Sequence, residues 1–399
     1  MTRRLEGLAA LGVIALVTAL LFLPIVQGVV TGAPRWFEWD VPEQYWPDLV
    51  YACEAQYDGE MPLWNPYDRA GYPYYADPQA AAHHPTTWLI CAVSRSPGLG
   101  WATGRVVFGF FLAGAFGLLW LRRLDVPWSG AIVGAVVIEA APFMRHNLEL
   151  NLTGALAYLP LMAWAADRAV VERGARDGIL LGLAVALCAW MGSPPALWLA
   201  SSFVLLYALG RLAGQTREHG WVAAAQGLGA LGLAALVALG LTAMVLVPGV
   251  RLAEHSVQAG RDYASISQDG LTLDRLRALV WPQDGNHLYL GLLPLGLGAV
   301  ALLRRRALAL GMAAILALAV LMALGDHGPL FRLAFDGVPG VRLFRLPYRY
   351  EAWMGPAAGA LAALGMRELV GRSGSGSPSP ARGGGSGWGQ ESAGRGPTP

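Results

Sequence analysis

Two carboxylates lie two positions apart in residues 34–48, which directly follow the first long apolar run of the chain. Glu38 and Asp40 are flanked there by Trp36 and Trp39. Carboxylates at this spacing can share a divalent cation through oxygen ligands. Alternatively, one of them can act as a general base whose pKa is raised by apolar neighbours. Acidic residues and tryptophans are also ordinary at the edge of a membrane span, so the pattern alone leaves a structural role open.

A second group of polar and aromatic side chains fills residues 62–79 and the two histidines that follow. Its aromatic rings offer flat faces that suit a sugar ring or an isoprenoid chain. The same rings can instead anchor an ordered loop at the membrane surface. For the adjacent histidines we favour hydrogen bonding over metal binding, because neighbouring side chains on a helix point apart. The predicted substrate-binding side chains in this group are Asn65, Asp68, Arg69, Asp77, Gln79, His83 and His84.

Three arginines lie close together towards the end of the chain: Arg342, Arg345 and Arg349. Guanidinium groups bind phosphate in a bidentate manner, and anionic lipid headgroups lie at the depth where these arginines adjoin an apolar run. We therefore predict that they bind a phosphate. Ion pairs with the acidic residues of the first loop are the alternative interpretation.

The elements that must position these residues are apolar helices. Of the 399 residues, 55% are hydrophobic and only 14% are charged, whereas soluble domains carry about a quarter charged residues. Apolar runs long enough to cross a bilayer alternate with short arginine-bearing breaks, which predicts an all-α, polytopic transmembrane bundle of about ten spans. The predicted spans are residues 8–30, 101–120, 126–142, 150–169, 178–191, 197–212, 221–247, 288–303, 307–324 and 353–370.

The distribution of arginine predicts the orientation. Arginine-rich breaks occur at residues 122–123, 168–176, 211–217, 304–306 and 367–372. Since cytoplasmic loops carry an excess of basic residues, we predict a multi-pass protein of the bacterial inner membrane with its N-terminus in the cytoplasm. The long segments 31–100, 248–287 and 325–351 then lie outside. Long connections in bundles usually carry function or disorder, so the first outer loop, residues 31–100, is the predicted site.

Residues 1–370 form the predicted transmembrane domain, and residues 371–399, rich in Gly, Ser, Pro and Arg, form a predicted disordered tail. The first apolar run exceeds the roughly 7–15 residues of a cleaved signal, so we expect a retained anchor. Cys53, Cys91 and Cys188 are too few and too scattered for a disulfide framework or a zinc site, although Cys53 and Cys91 could meet outside the membrane.

No Walker loop, dinucleotide fingerprint, serine-centred elbow or HExxH motif occurs in the sequence. An ATP-driven pump and a soluble-type hydrolase therefore have no support. The net charge of +2 says little about partners. We expect membrane lipids and no nucleic acid among them.

Five segments of the chain occur in an order that resembles a known family. They are the acidic segment with Gln44 and Pro47, the block PLWNPYDRAGYPYYADPQ with the following His84 and Pro85, residues 192–195, the block PQDGNHLYLGLLPL at 282–295, and the block ALGDHGPLFRLAFDGVPGVRLFRLPYRYEAW at 323–353. In these segments, which run through nearly the whole chain to about residue 370, the protein resembles the bacterial YfhO-like membrane proteins, relatives of the glycosyltransferase C (GT-C) superfamily. The second and fifth blocks are the more specific.

The resemblance implies a glycosyltransferase that works on the outer face of the membrane. Its donor would be a sugar linked to polyprenyl phosphate, and its acceptor a cell-envelope glycan or lipid. Asp40 matches the catalytic base, with Glu38 as its partner in an acidic pair that can bind a divalent cation such as Mg or Mn. Gln44 joins the substrate-binding residues, and Arg342, Arg345 and Arg349 fall where the donor phosphate would be neutralised. Relatives often continue into further spans or an outer domain.

Two other functions stay open at this point. A lipid or polymer flippase or transporter predicts polar residues that face a pathway through the middle of the bundle. The central spans contain few polar residues apart from Glu139 and Asn151, which argues against transport of a charged solute and less against flipping of a lipid. A non-catalytic scaffold of the same fold would tolerate Asp40→Ala.

Overall fold

The computed structural model describes residues 2–148, 150–256, 261–282 and 288–374. These residues are helical and contain no β-strand, which confirms the predicted all-α class. The α-helices are α1 (Thr2–Leu21), α2 (Leu23–Val30), α3 (Trp46–Tyr57), α4 (Pro85–Val93), α5 (Leu99–Arg123), α6 (Trp128–Glu139), α7 (Pro142–His146), α8 (Leu150–Leu156), α9 (Leu159–Val171), α10 (Ala175–Trp190), α11 (Pro194–Glu254), α12 (Tyr263–Ile266), α13 (Leu292–Leu303), α14 (Ala307–Ala323), α15 (Pro329–Gly337) and α16 (Met354–Gly374).

Three helices in the described part of the chain are long and apolar enough to cross a membrane, at Arg4–Leu21, Leu99–Arg123 and Pro194–Glu254. The helices α13 and α14 are apolar but shorter. Gly220, with φ 81° and ψ −178°, interrupts α11, so its two parts correspond to two predicted spans. The remaining predicted spans also coincide with helices. These features are consistent with a membrane protein.

Small residues allow the central helices to approach closely. Where α6 crosses α16, a Cβ atom on Gly134 would come within 2.5 Å of the carbonyl oxygen of Gly359. Close backbone contact of this kind gains van der Waals packing, which is the main attraction between helices where no water has to be displaced. The buried core extends from this crossing through α5, α9, α10 and α11.

One end of the bundle collects the arginine-rich breaks. The Asp167 carboxylate, 1% exposed, accepts hydrogen bonds from Arg123 Nε at 3.0 Å and from Arg211 Nε at 2.6 Å. Glu368 pairs with Arg306 at 3.1 Å. Arg367 Nη1 donates to the carbonyl oxygen of Leu124 at 3.1 Å, which joins the end of α16 to the end of α5. The breaks near residues 123, 211, 306 and 367 therefore lie at the same end, as the predicted alternation of spans requires.

The rest of the first loop follows α2 with a short π-helical turn, Val41–Tyr45, and then α3. Two 3-10 turns, Tyr74–Ala76 and Pro78–Ala80, precede α4. The predicted disordered tail, residues 371–399, lies outside the described residues except for residues 371–374, which continue α16.

Candidate functional site

The first loop is folded around α3 and α4, which are joined by a disulfide between Cys53 and Cys91. Both sulfur-bearing side chains are buried, at 0% and 1% exposed. The sequence argument that the cysteines are too scattered for a disulfide is therefore wrong for this pair, although the possibility of their meeting was foreseen. Their separation of 38 residues hides a contact that arises because α3 and α4 pack side by side.

A tight turn presents the most polar part of the loop. Asn65 and Tyr72 pair through two backbone hydrogen bonds of 2.7 and 2.8 Å. The Asn65 side chain accepts from the backbone N–H of Tyr67 at 2.9 Å, so this predicted substrate-binding group is used by the turn itself. Gly71 has φ 109°, and the Trp64 ring packs where a Cβ atom would lie. Arg69 is exposed and stacks on the Tyr72 ring at 4.7 Å.

A buried acidic cluster lies beneath this turn. Tyr72 Oη donates to Asp77 Oδ2 at 2.5 Å, and Tyr74 Oη donates to the carbonyl oxygen of Asp48 at 2.9 Å. Asp48 is 8% exposed. Burial, followed by the nearby carboxylates of Asp77 and Asp68, raises the pKa of Asp48 to about 7. A carboxyl group with this pKa is suited to proton transfer at neutral pH.

We expect Asp48→Asn to raise the melting temperature above about pH 7 and to change it little near pH 4. The folded-state pKa of about 7 exceeds the ordinary value of 3.8. The stability linked to this group is therefore fully present below pH 3.8 and is lost as the pH rises through 7. The difference corresponds to roughly 4 kcal/mol of unfolding free energy. Thermal unfolding in detergent across this pH range measures it.

The matched control for this prediction is Glu43→Gln, which changes an exposed carboxylate a few residues earlier. Its melting temperature should follow the parent at every pH. An Asp48→Asn gain that is the same at low and high pH would contradict the raised pKa, because a pure packing effect does not depend on protonation.

The two adjacent histidines meet different neighbours, as predicted. The backbone N–H of Thr86 donates to His84 Nδ1 at 3.2 Å, which leaves Nε2 to carry the proton towards Tyr158 Oη at 2.9 Å. Burial, followed by the nearby Arg105 guanidinium, lowers the pKa of His84 to about 3. The imidazole is therefore neutral at pH 7. His83 instead packs edge-on against Tyr75, with ring centroids 4.8 Å apart.

Arg105 was not predicted from the sequence as a site residue. It lies in α5 and is 6% exposed, and its Nη2 donates to Met191 Sδ at 3.7 Å. No carboxylate pairs with it in the part of the chain that the structure describes, and its Nε has no hydrogen-bond partner there. The signal that could have found it is a single charged residue within a candidate span, where such residues are costly and usually functional.

The loop rests on the turn between α10 and α11. The carbonyl oxygen of Pro78 lies so close to Gly192 that a Cβ atom there would overlap it, and Gly192 has φ 88°. Asn151 Nδ2 donates to the carbonyl oxygen of Gln79. Asp77 Oδ1 accepts from the backbone N–H of Gln79 at 2.8 Å, while the Gln79 side chain itself is exposed. These contacts fix the position of the loop on the bundle.

The acidic pair lies at the start of the loop. Glu38 is exposed, whereas Asp40 is half-buried and immediately precedes the π-helical turn that contains the half-buried Gln44. Trp39 has φ 60°, a strained conformation for a bulky residue, and such strain concentrates at functional sites. Among the described residues, neither Glu38 nor Asp40 has a side-chain hydrogen bond or ion pair.

Metal binding by this pair stays a prediction. Within the described ranges, no group of three or more His, Cys, Asp or Glu side chains is placed to hold a metal ion. Two carboxylates without a third protein ligand are a weak donor set for a cation held by the protein alone. No step of the chemistry below is therefore assigned to a metal.

The three predicted phosphate-binding arginines differ in their surroundings. Arg342 donates to the carbonyl oxygens of Phe335 and Asp336 at 2.8 and 3.2 Å, which closes the end of α15. Arg345 is exposed, and Arg349 is half-buried with an Nε that has no partner among the described residues. Arg345 and Arg349 line the same small cleft, and no hydrogen bond or ion pair in the described structure joins either of them to Asp40.

Comparison of the chain with protein-family models, with curated proteins and with solved structures finds no match. The functional argument therefore rests on the residues of this chain and on their geometry.

Proposed function

We propose that the chain is a membrane glycosyltransferase of the GT-C type. It transfers a sugar from a polyprenyl-phosphate donor to a cell-envelope glycan or lipid acceptor on the outer face of a bacterial inner membrane. The proposal includes about ten spans and a cytoplasmic N-terminus, as the sequence predicts. The segments that resemble the YfhO-like proteins support it, and so does their arrangement in space.

The observation that carries the proposal is that four of the five resembling segments form a chain of direct contacts. Tyr74 Oη donates to the carbonyl oxygen of Asp48, which links the polar block to the acidic segment. The polar block touches Gly192 through Pro78. Trp198, at the start of α11, donates from Nε1 to Tyr350 Oη at 3.1 Å, which links this turn to the arginine block.

This convergence supports a shared site, because residues far apart in the sequence meet where a donor and an acceptor would have to be held together. Part of the fifth segment, residues 282–295, lies outside the described residues. The disulfide also supports an outer position for the loop, since disulfides persist in oxidising compartments and are rare in the cytosol.

In the proposed reaction, Asp40 takes the proton from an acceptor hydroxyl as its oxygen attacks the anomeric carbon of the sugar. A new C–O bond forms on the acceptor, and the bond between the anomeric carbon and the phosphate oxygen breaks. Its electron pair leaves with the polyprenyl phosphate. Arg345 and Arg349 neutralise the charge that develops on the phosphate, with Arg342 adjacent to them.

The test is donor turnover by the purified full chain in lipid, with a panel of radiolabelled polyprenyl-phosphate sugars. We expect release or transfer of sugar from at least one donor. Folded protein that binds these lipids but turns over none of them would contradict the enzyme assignment and favour a flippase. Folded protein that neither binds nor turns over donors would favour a scaffold.

A further inference from the structure

A cavity of about 490 Å³ lies between the first loop and the second part of α11. Its volume is within the range of roughly 300–1,000 Å³ that is typical of small-molecule sites. It is separate from the arginine cleft, with which it shares no lining residue.

The mouth of the cavity is apolar. Met61, Trp88 and Met244 line it and are 63%, 51% and 42% exposed, so they mark its open side. Met244 belongs to α11, which is apolar enough to cross a membrane. On the same helix Leu239 and Val247 are 63% and 55% exposed. A strongly exposed apolar face on a candidate span is suited to contact with lipid chains.

The inner end of the cavity is polar. His83, 9% exposed, lines it, and its Nε2 has no hydrogen-bond partner among the described residues. A buried polar atom of this kind costs free energy unless a ligand or water satisfies it. Gln56 and Glu60 also line the cavity and provide further hydrogen-bonding groups.

The charge of the lining selects the kind of headgroup. None of the described lining residues is an arginine, and Glu60 is the ionised side chain among them. Burial lowers the pKa of His83, which keeps its imidazole neutral at pH 7. A phosphate would therefore meet a carboxylate and no cation. A hydroxyl group can both donate to and accept from these side chains.

We propose that this cavity binds a lipid with an uncharged, hydroxyl-rich headgroup, whose chains lie along the exposed face of α11. The aromatic rings of Tyr75 and Trp88 in the lining suit the flat face of a sugar ring. The inference rests on contact between α11 and lipid and does not require glycosyl transfer.

The test uses the full chain in phosphatidylcholine nanodiscs with a diazirine-bearing glucosyl diacylglycerol. We expect crosslinks on the peptides that contain Met61 and Trp88. Met244→Trp narrows the mouth and should reduce this labelling about tenfold. His83→Phe keeps the ring but removes the hydrogen bond, and it should reduce labelling about fivefold. Leu239→Trp, on the same helix outside the lining, is the matched control and should label as the parent does.

The other arms identify the ligand class. A phosphatidic acid probe with the same chains should label these peptides poorly, and equal labelling would overturn the assignment of an uncharged headgroup. Excess free glucose should not compete, and competition would show a site for a soluble sugar instead. Unchanged labelling in both Met244→Trp and His83→Phe would overturn the site itself. Because no donor is turned over in this experiment, its result is independent of the glycosyltransferase assay.

Discussion

The Asp40→Asn variant is expected to lose sugar transfer by about 10²- to 10⁴-fold, which is the usual contribution of a positioned general base. The amide keeps the shape of the side chain but cannot take a proton from the acceptor. The loss should appear in kcat, while donor binding stays close to that of the parent. The fold should be retained, because the Asp40 side chain makes no hydrogen bond or ion pair with the described residues. Transfer of radiolabelled sugar and donor binding measure the two effects.

Two further variants make this result specific. Glu43→Gln changes an exposed carboxylate in the same segment and should leave transfer unchanged. Asp48→Asn removes the buried carboxyl group whose pKa is raised to about 7. If Asp48→Asn abolishes transfer and Asp40→Asn does not, the base is Asp48 and the assignment based on the resemblance is wrong.

The helices could be predicted from the sequence because their signal is local. An apolar run and its arginine-bearing ends are contiguous, and the ion pairs around Asp167 and Glu368 gather those ends as the alternation of spans requires. Even the division of α11 followed from the arginine-rich break at 211–217, although the helix axis changes at Gly220. The break of α6 before Pro142 and the start of α9 before Pro160 reflect prolines within apolar runs.

The candidate site was harder to predict because burial depends on packing between distant segments. Asp48 follows a proline at a helix start, where a carboxylate normally faces water, yet Tyr74 and the polar turn cover it. Arg105 is one charge in an otherwise apolar run, and only the docking of His84 beside it places it in a polar cluster. The predicted residues Asn65 and Asp77 turned out to hydrogen-bond within the loop. Their role towards a substrate stays a prediction.

Removing the disulfide with the double variant Cys53→Ala and Cys91→Ala is expected to destabilise the first loop by about 4 kcal/mol. The bond closes a segment of 38 residues, and without it the unfolded loop gains the corresponding conformational freedom. Opening of the loop should become up to about 10³-fold more populated, and limited proteolysis within residues 58–84 should accelerate accordingly. Cys188→Ala, which changes the buried free cysteine of α10, is the control and should leave loop cleavage unchanged.

The same disulfide tests the orientation of the chain in the membrane. Thiols trapped in intact cells and then alkylated in the denatured protein should give one reactive cysteine, Cys188, because Cys53 and Cys91 are paired. Three reactive cysteines would mean that the loop stays reduced, as expected in the cytoplasm, and would contradict the outer position of the loop. Such a result would also contradict the proposed reaction, since a donor and acceptor on the outer face could not reach Asp40. The count of thiols therefore bears on the topology and on the function together, without requiring that any donor be identified first.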